Sequence, residues 1–118
     1  MVFLEICITF AETKHLSMEK GGFIYFMTNK NRTTIYIGVT NNLQRRIIEH
    51  CNHVNKSSFS DRYNLEYCIY YEYHLSIEQA IDRETQLKKW SRKKKETLIN
   101  QINPQWEDLW SKISRMRR

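Results

Sequence analysis

Two short runs in the first half of the chain alternate as strands do. Phe23-Ile24-Tyr25-Phe26-Met27 is aromatic and β-prone. Alternation places Phe23, Tyr25 and Met27 on one face. Thr28-Asn29-Lys30-Asn31-Arg32-Thr33 is turn chemistry, so the stretch to Thr34 joins the two runs as a hairpin. In Ile35-Tyr36-Ile37-Gly38-Val39, the residues Ile35, Ile37 and Val39 share a face, and Tyr36 and Gly38 share the other. Gly38 carries no side chain and leaves space beside Tyr36 for a ligand or another backbone. The period then changes to that of a helix. Asn41 or Asn42 serves as N-cap, Leu43, Ile47 and Cys51 recur with Ile48 alongside, and the helix ends near Asn52. Residues 53–64 are polar, a loop long enough to serve a function.

Tyr67 to Tyr73 is a third strand, again rich in tyrosine. Ser76-Ile77-Glu78-Gln79 opens a second helix with a capping box, and its apolar stripe is Ile77, Ala80, Ile81 and Leu87. A third helix follows Ser91, runs to about Gln101 and is ended by Pro104. Trp106, Leu109, Trp110 and Ile113 repeat at helical spacing and predict an amphipathic final helix. The order β-β-α-β-α-α-α predicts an α/β (α+β) domain, a small three-stranded mixed or antiparallel sheet flanked by helices. Residues 1–20 read as an N-terminal appendage to a domain over 21–118.

With 118 residues and 41% hydrophobic content the chain has length for one modest core. No apolar run approaches the ~20 residues of a membrane span. Residues 1–8 are apolar but are interrupted by Glu5 and lack a basic start, so no signal peptide is expected. The cysteines Cys7, Cys51 and Cys68 are odd in number and far apart, which suits reduced thiols in the cytoplasm. Charge is uneven. Residues 21–87 hold seven basic and seven acidic side chains, and residues 88–118 hold ten and three. A basic end on a balanced domain fits a polyanion partner, or else a solvated face.

Glu84 is the most informative single residue, because it projects from the apolar stripe of the second helix. A carboxylate there is costly unless paired or bound to a cation. Two readings stand: a metal ligand suited to Mg²⁺, or a structural salt bridge with a base such as Arg46. On the first helix Arg46 shares a face with His50, which sets two phosphate donors side by side. Arg45 shares one with Glu49, a surface pair of little energetic value. Tyr25 and Tyr36 are ordinary packing residues when taken alone. His50, Cys51, His53 and Cys68 match no usual zinc spacing. The run Lys88, Lys89, Arg92, Lys93, Lys94 and Lys95, with Trp90 inside it, suits phosphate tracking and base stacking, or a solvated helix end.

Taken together, these residues resemble the GIY-YIG nuclease family over roughly Gly22 to Ile99. In that family two motif tyrosines lie on adjacent strands. An arginine follows ten residues after the second, and a histidine or tyrosine sits one turn later. A glutamate on a later helix binds the single catalytic metal. Tyr25, Tyr36, Arg46, His50 and Glu84 occupy those positions. Arg83-Glu84-Thr85-Gln86-Leu87-Lys88-Lys89-Trp90, followed by Asn103-Pro104-Gln105-Trp106, looks like the small stand-alone bacterial branch, related to the N-terminal domain of the excinuclease nicking subunit. Phe23 stands where the first motif has glycine, Val39 replaces a lysine carried by some members, and Asn100 and Asn103 are candidates for a late asparagine.

The resemblance implies a metal-dependent endonuclease that hydrolyses phosphodiester bonds in nucleic acid, DNA first, in repair or processing. Glu84 would carry Mg²⁺ or Mn²⁺, and Arg46 and Glu84 would converge on one concave surface. The partners implied are nucleic acid, along the basic run, and a protein through the C-terminal helix; no membrane is implied. The rival is a non-catalytic nucleic-acid-binding module on the same scaffold, which has no use for Glu84.

Overall fold

The structure, a computed structural model, describes residues 21–53 and 62–116. The N-terminal appendage, with Cys7, and the loop residues 54–61 lie outside the described residues. Strands β1 (Gly22–Thr28), β2 (Ile35–Thr40) and β3 (Tyr67–His74) form one sheet in the order β2-β1-β3. Both pairings are antiparallel, which resolves the mixed or antiparallel alternative. The connecting turn is held by Asn29, whose Oδ1 accepts from the Thr33 and Thr34 backbone N–H groups at 2.8 and 3.2 Å.

Register decides which side chains meet. Tyr25 lies opposite Gly38 and Met27 opposite Tyr36, so the two tyrosines are diagonal neighbours on one face. Ile24, Phe26, Ile37 and Val39 point to the other face. The β1–β3 register shifts between Phe26, opposite Tyr70, and Met27, opposite Cys68, and leaves Ile69 as the extra residue of a bulge. Ile69 and Tyr70 therefore both join the core on the Ile24 face.

Helix α1 (Leu43–Cys51) is capped by Asn42, whose side chain accepts from the Arg45 backbone N–H. It covers the tyrosine face with Leu43 and Ile47, each fully buried side chain contributing about 1.5–3 kcal/mol. Helix α2 (Ile77–Lys88), capped by Ser76, and helix α3 (Arg92–Ile102), capped by Ser91, cover the opposite face through Ile77, Ala80, Leu87 and Ile99. The sheet is thus sandwiched between two helical layers.

The tail departs from its periodicity. Helix α4 spans only Trp110–Ile113, and Trp106 lies outside it with φ of 54°, in a turn where its N–H reaches the Asn103 carbonyl. Asn103 explains this break. Its buried amide donates to the Ile69 and Glu107 carbonyls at 2.9 Å and accepts from the Glu107 N–H, so the side chain satisfies the bulge and bends the chain together. Trp106 then packs on one core, and Ile113, Leu109, Trp110 and Met116 pack on the other.

Candidate active site

The first helix brings two polar side chains into an otherwise apolar face. Leu43, Arg46, Ile47 and His50 form its buried stripe, so Arg46 and His50 are carried to the sheet by the leucine and isoleucine beside them. There they meet Tyr25. Its hydroxyl lies 2.9 Å from His50 Nε2 and accepts from Arg46 Nε at 3.3 Å. Tyr36 completes the cluster, with its ring centroid 6.2 Å from that of Tyr25 and 5.5 Å from that of His50. The four residues are all buried, between 1% and 7% exposed, so they form one packed cluster.

Gly38 makes room for this arrangement, and the space on the Tyr36 face is taken by another side chain, not by a ligand or a backbone. A Cβ on Gly38 would stand 2.5 Å from both Cζ and the hydroxyl oxygen of Tyr25. The vacant side-chain position is filled by the Tyr25 ring.

Burial sets the protonation states. His50 is pushed down to about 3 by burial, then by the Arg46 and His53 charges, so it is neutral. It is therefore a neutral hydrogen-bonding ring beside Arg46, not a second cation, and as a neutral imidazole it keeps one N–H donor. Burial raises the Tyr25 and Tyr36 phenols well above the ordinary range, and the Glu84 carboxylate raises both further.

Glu84 thus acts electrostatically on the tyrosines although α2 lies on the opposite face of the sheet from α1. It is 1% exposed, between Ala80 and Leu87 on the buried stripe. Burial raises its carboxyl, and Lys88 partly counters that. Lys88 Nζ sits 2.5 Å from Oε2 as an ion pair, and Oε2 has no further hydrogen-bond partner among the described residues. The expected salt bridge exists, but its base is Lys88, not Arg46. The carboxylate beside Arg46 is Glu49, whose Oε1 is 2.7 Å from Nη1. Glu49 also pairs with Arg45 at 3.6 Å and so serves both arginines. Both relations were open to reading as i,i+4 and i,i+3 spacings.

The basic run divides. Arg92 is a structural clamp: it donates to the Thr33 and Arg32 carbonyls at 2.7 and 3.1 Å and pairs with Glu96. Lys88 faces Glu84, and Lys94 stands 4.2 Å over the Trp90 ring, which also faces Arg83. Burial lowers the Lys95 pKa, with Arg92 and Lys88 adding to the effect. Lys89 and Lys93 are the exposed members whose side chains have no partner among the described residues. Asn100 accepts from Trp106 Nε1 and Asn103 holds the bulge, so each has a structural use. Cys68 is buried against the Tyr70 carbonyl and Cys51 reaches the Glu66 carbonyl.

The fold, a small antiparallel sheet between helices, with tyrosines paired on β1 and β2 and an arginine on the helix that follows, agrees with a comparison of sequence families. The model of the GIY-YIG catalytic domain matches residues 21–97, and the chain belongs to that family. No curated protein and no solved structure matches it. Membership implies a nuclease domain that acts on nucleic acid, in a family generally dependent on divalent metal. Among the described residues, no helix is long and apolar enough to cross a membrane.

Proposed function

We propose that this domain is a divalent-metal-dependent endonuclease that hydrolyses phosphodiester bonds, with DNA as its substrate in repair or processing. The observation that carries the reading is the Tyr25 hydroxyl, in reach of both a neutral histidine and a guanidinium inside one buried cluster. Glu84 fits the metal-ligand role. Its Oε2 is buried with no hydrogen-bond partner among the described residues beyond the Lys88 ion pair, and one carboxylate completed by waters and phosphate is a coordination Mg²⁺ accepts. When bound there, Mg²⁺ or Mn²⁺ supplies Lewis-acid stabilisation of a non-bridging phosphate oxygen.

The protein groups do the rest. Tyr25 holds the attacking water at its hydroxyl oxygen. As the water oxygen bonds to phosphorus, a water proton passes to the Tyr25 oxygen and the phenolic proton passes to His50 Nε2. The bond from phosphorus to the leaving oxygen breaks, and that oxygen takes a proton from solvent. Burial makes His50 a weak base, and a substrate phosphate near Arg46 offsets the second cause of that weakness. Neutralising Glu84 likewise removes one of the charges that keep Tyr25 protonated. Arg46 stabilises charge on the phosphate, and Tyr36 fixes the position of Tyr25.

A second reading, a nucleic-acid-binding module without catalysis, is favoured by Lys88, which already gives Glu84 a counter-ion. Labelled linear, nicked and branched DNA and RNA, incubated with Mg²⁺, Mn²⁺ or EDTA, decide between the two. Cleavage should require metal. Tyr25→Phe should lower it by about 10²–10⁴-fold, the usual contribution of a proton-transfer group. Glu84→Gln should abolish it while the melting curve stays cooperative. A folded parent protein that binds these substrates and cuts none under either metal would establish the binder.

A further inference from the structure

Lys88 contributes more to the site than a surface charge would. It is the last residue of α2, where a cation is favoured by the helix dipole. Its side chain is 29% exposed, while the carboxylate it contacts is 1% exposed. The stem therefore runs from the surface inward, and the ammonium can return to water through the rotation of a flexible chain. Glu84 cannot follow, because Ala80 and Leu87 hold its helix face against the sheet. Neighbouring bases do not replace Lys88. Arg83 is engaged by Glu72 at 3.0 Å and by Gln86 at 2.8 Å. Arg92 is held by the hairpin carbonyls. Among the described residues the buried Oε2 thus rests on one partner, the ammonium of a partly exposed chain.

We infer that Lys88 is an exchangeable counter-ion: it holds Glu84 in the metal-free protein and withdraws toward solvent when a divalent cation takes the carboxylate. This rests on the metal reading of Glu84 above. It makes metal binding a competition, in which the apparent affinity is lowered by the fraction of protein whose Glu84 is occupied by Lys88. The exchange leaves the carboxylate compensated in both states, neutral overall with Lys88 and positive by one with the divalent cation, so Glu84 is never buried bare.

The test is Mn²⁺ binding to the full chain, followed by the loss of the free-ion paramagnetic resonance signal and by the rise in melting temperature with added Mn²⁺. Lys88→Met should bind Mn²⁺ roughly tenfold more tightly than the parent, because the competing state is gone. It should melt lower without metal and gain more on adding it. Lys88→Arg, which keeps a counter-ion, should behave like the parent, and Glu84→Gln should bind none. Equal or weaker Mn²⁺ binding by Lys88→Met, with the parent binding normally, overturns the exchange and leaves the metal site standing. Failure of the parent and of Lys88→Met alike to bind Mn²⁺ removes the metal site and the exchange with it. Should Lys88→Met stay unfolded even with Mn²⁺, Lys88→Gln, which keeps a neutral donor for the carboxylate, carries the same comparison with the same outcomes.

Discussion

Replacing Gly38 by alanine perturbs the site through one methyl group. The new Cβ would lie 2.5 Å from Tyr25 Cζ and its hydroxyl oxygen, and 2.9 Å from Cε1, where ordinary contact begins at 3.4 Å. The ring must retreat by roughly 1 Å, since repulsion rises steeply inside contact distance. It has nowhere cheap to go, being 1% exposed and tied to His50 and Arg46. Overpacking of this kind costs about 1–3 kcal/mol. Gly38 is not in the left-handed region, so alanine also stiffens the unfolded chain and returns about 0.4–1 kcal/mol. The net expectation is a loss of about 1–2 kcal/mol. Displacing the hydroxyl by such a distance should lower cleavage about 10²-fold. Urea denaturation of the parent, Gly38→Ala, Tyr25→Ala and the double variant measures the coupling. Without the Tyr25 ring, Gly38→Ala should be neutral or stabilising, which gives a coupling of about 1–3 kcal/mol. Additivity within about 0.5 kcal/mol, with full activity in Gly38→Ala, would refute the steric reasoning.

His50 makes stability depend on pH. Its folded value of about 3 lies below the ordinary 6.5, so the unfolded chain binds more protons between them, and stability falls as pH drops through that window by up to about 1.4 kcal/mol per unit. Glu84, raised by burial, acts in the opposite direction. His50→Phe should therefore flatten the acid side of the profile, and urea midpoints between about pH 4 and pH 6.5 check it. Among the basic residues, Lys89→Ala with Lys93→Ala should weaken nucleic-acid binding of all sequences alike and reduce the salt slope by about 1–2. Arg92→Ala should instead cost about 1 kcal/mol of stability through the lost hairpin ties, which thermal melts on the same proteins will show.

The strands were legible from their aromatic and β-branched runs, and the first three helices because each carries an apolar stripe with a capping residue at its start. The same periodicity put Arg46 and His50 on the face of α1 that Leu43 and Ile47 bury, so most of the candidate site could be drawn from spacing. Three features could not. The bulge at Ile69 is hidden because neighbouring residues in β3 are all apolar or aromatic, and no alternation marks a skipped position. The tail repeats helically at Trp106, Leu109, Trp110 and Ile113, yet Asn103 turns the chain by bonding the bulge, a contact 34 residues away in sequence. Lys88 stands four residues after Glu84, an interval that makes an ion pair on any helix. Its place at the head of a basic run drew it toward the surface reading instead.

The stitching of the tail has a practical meaning for where this protein may be cut. The stretch that matches the family ends at residue 97, inside α3. Supports of the site lie beyond it. Ile113 closes the layer over Leu43 and Ile47, and Gln44 Nε2 donates to the Ile113 and Met116 carbonyls at 2.9 Å. Leu109 N–H and Asp108 hold Cys68 on the outer edge of β3. Arg32 in the hairpin turn donates to the Trp106 carbonyl. A fragment trimmed to the family boundary would uncover α1, which carries Arg46 and His50, so an expression boundary that respects the fold runs through Met116.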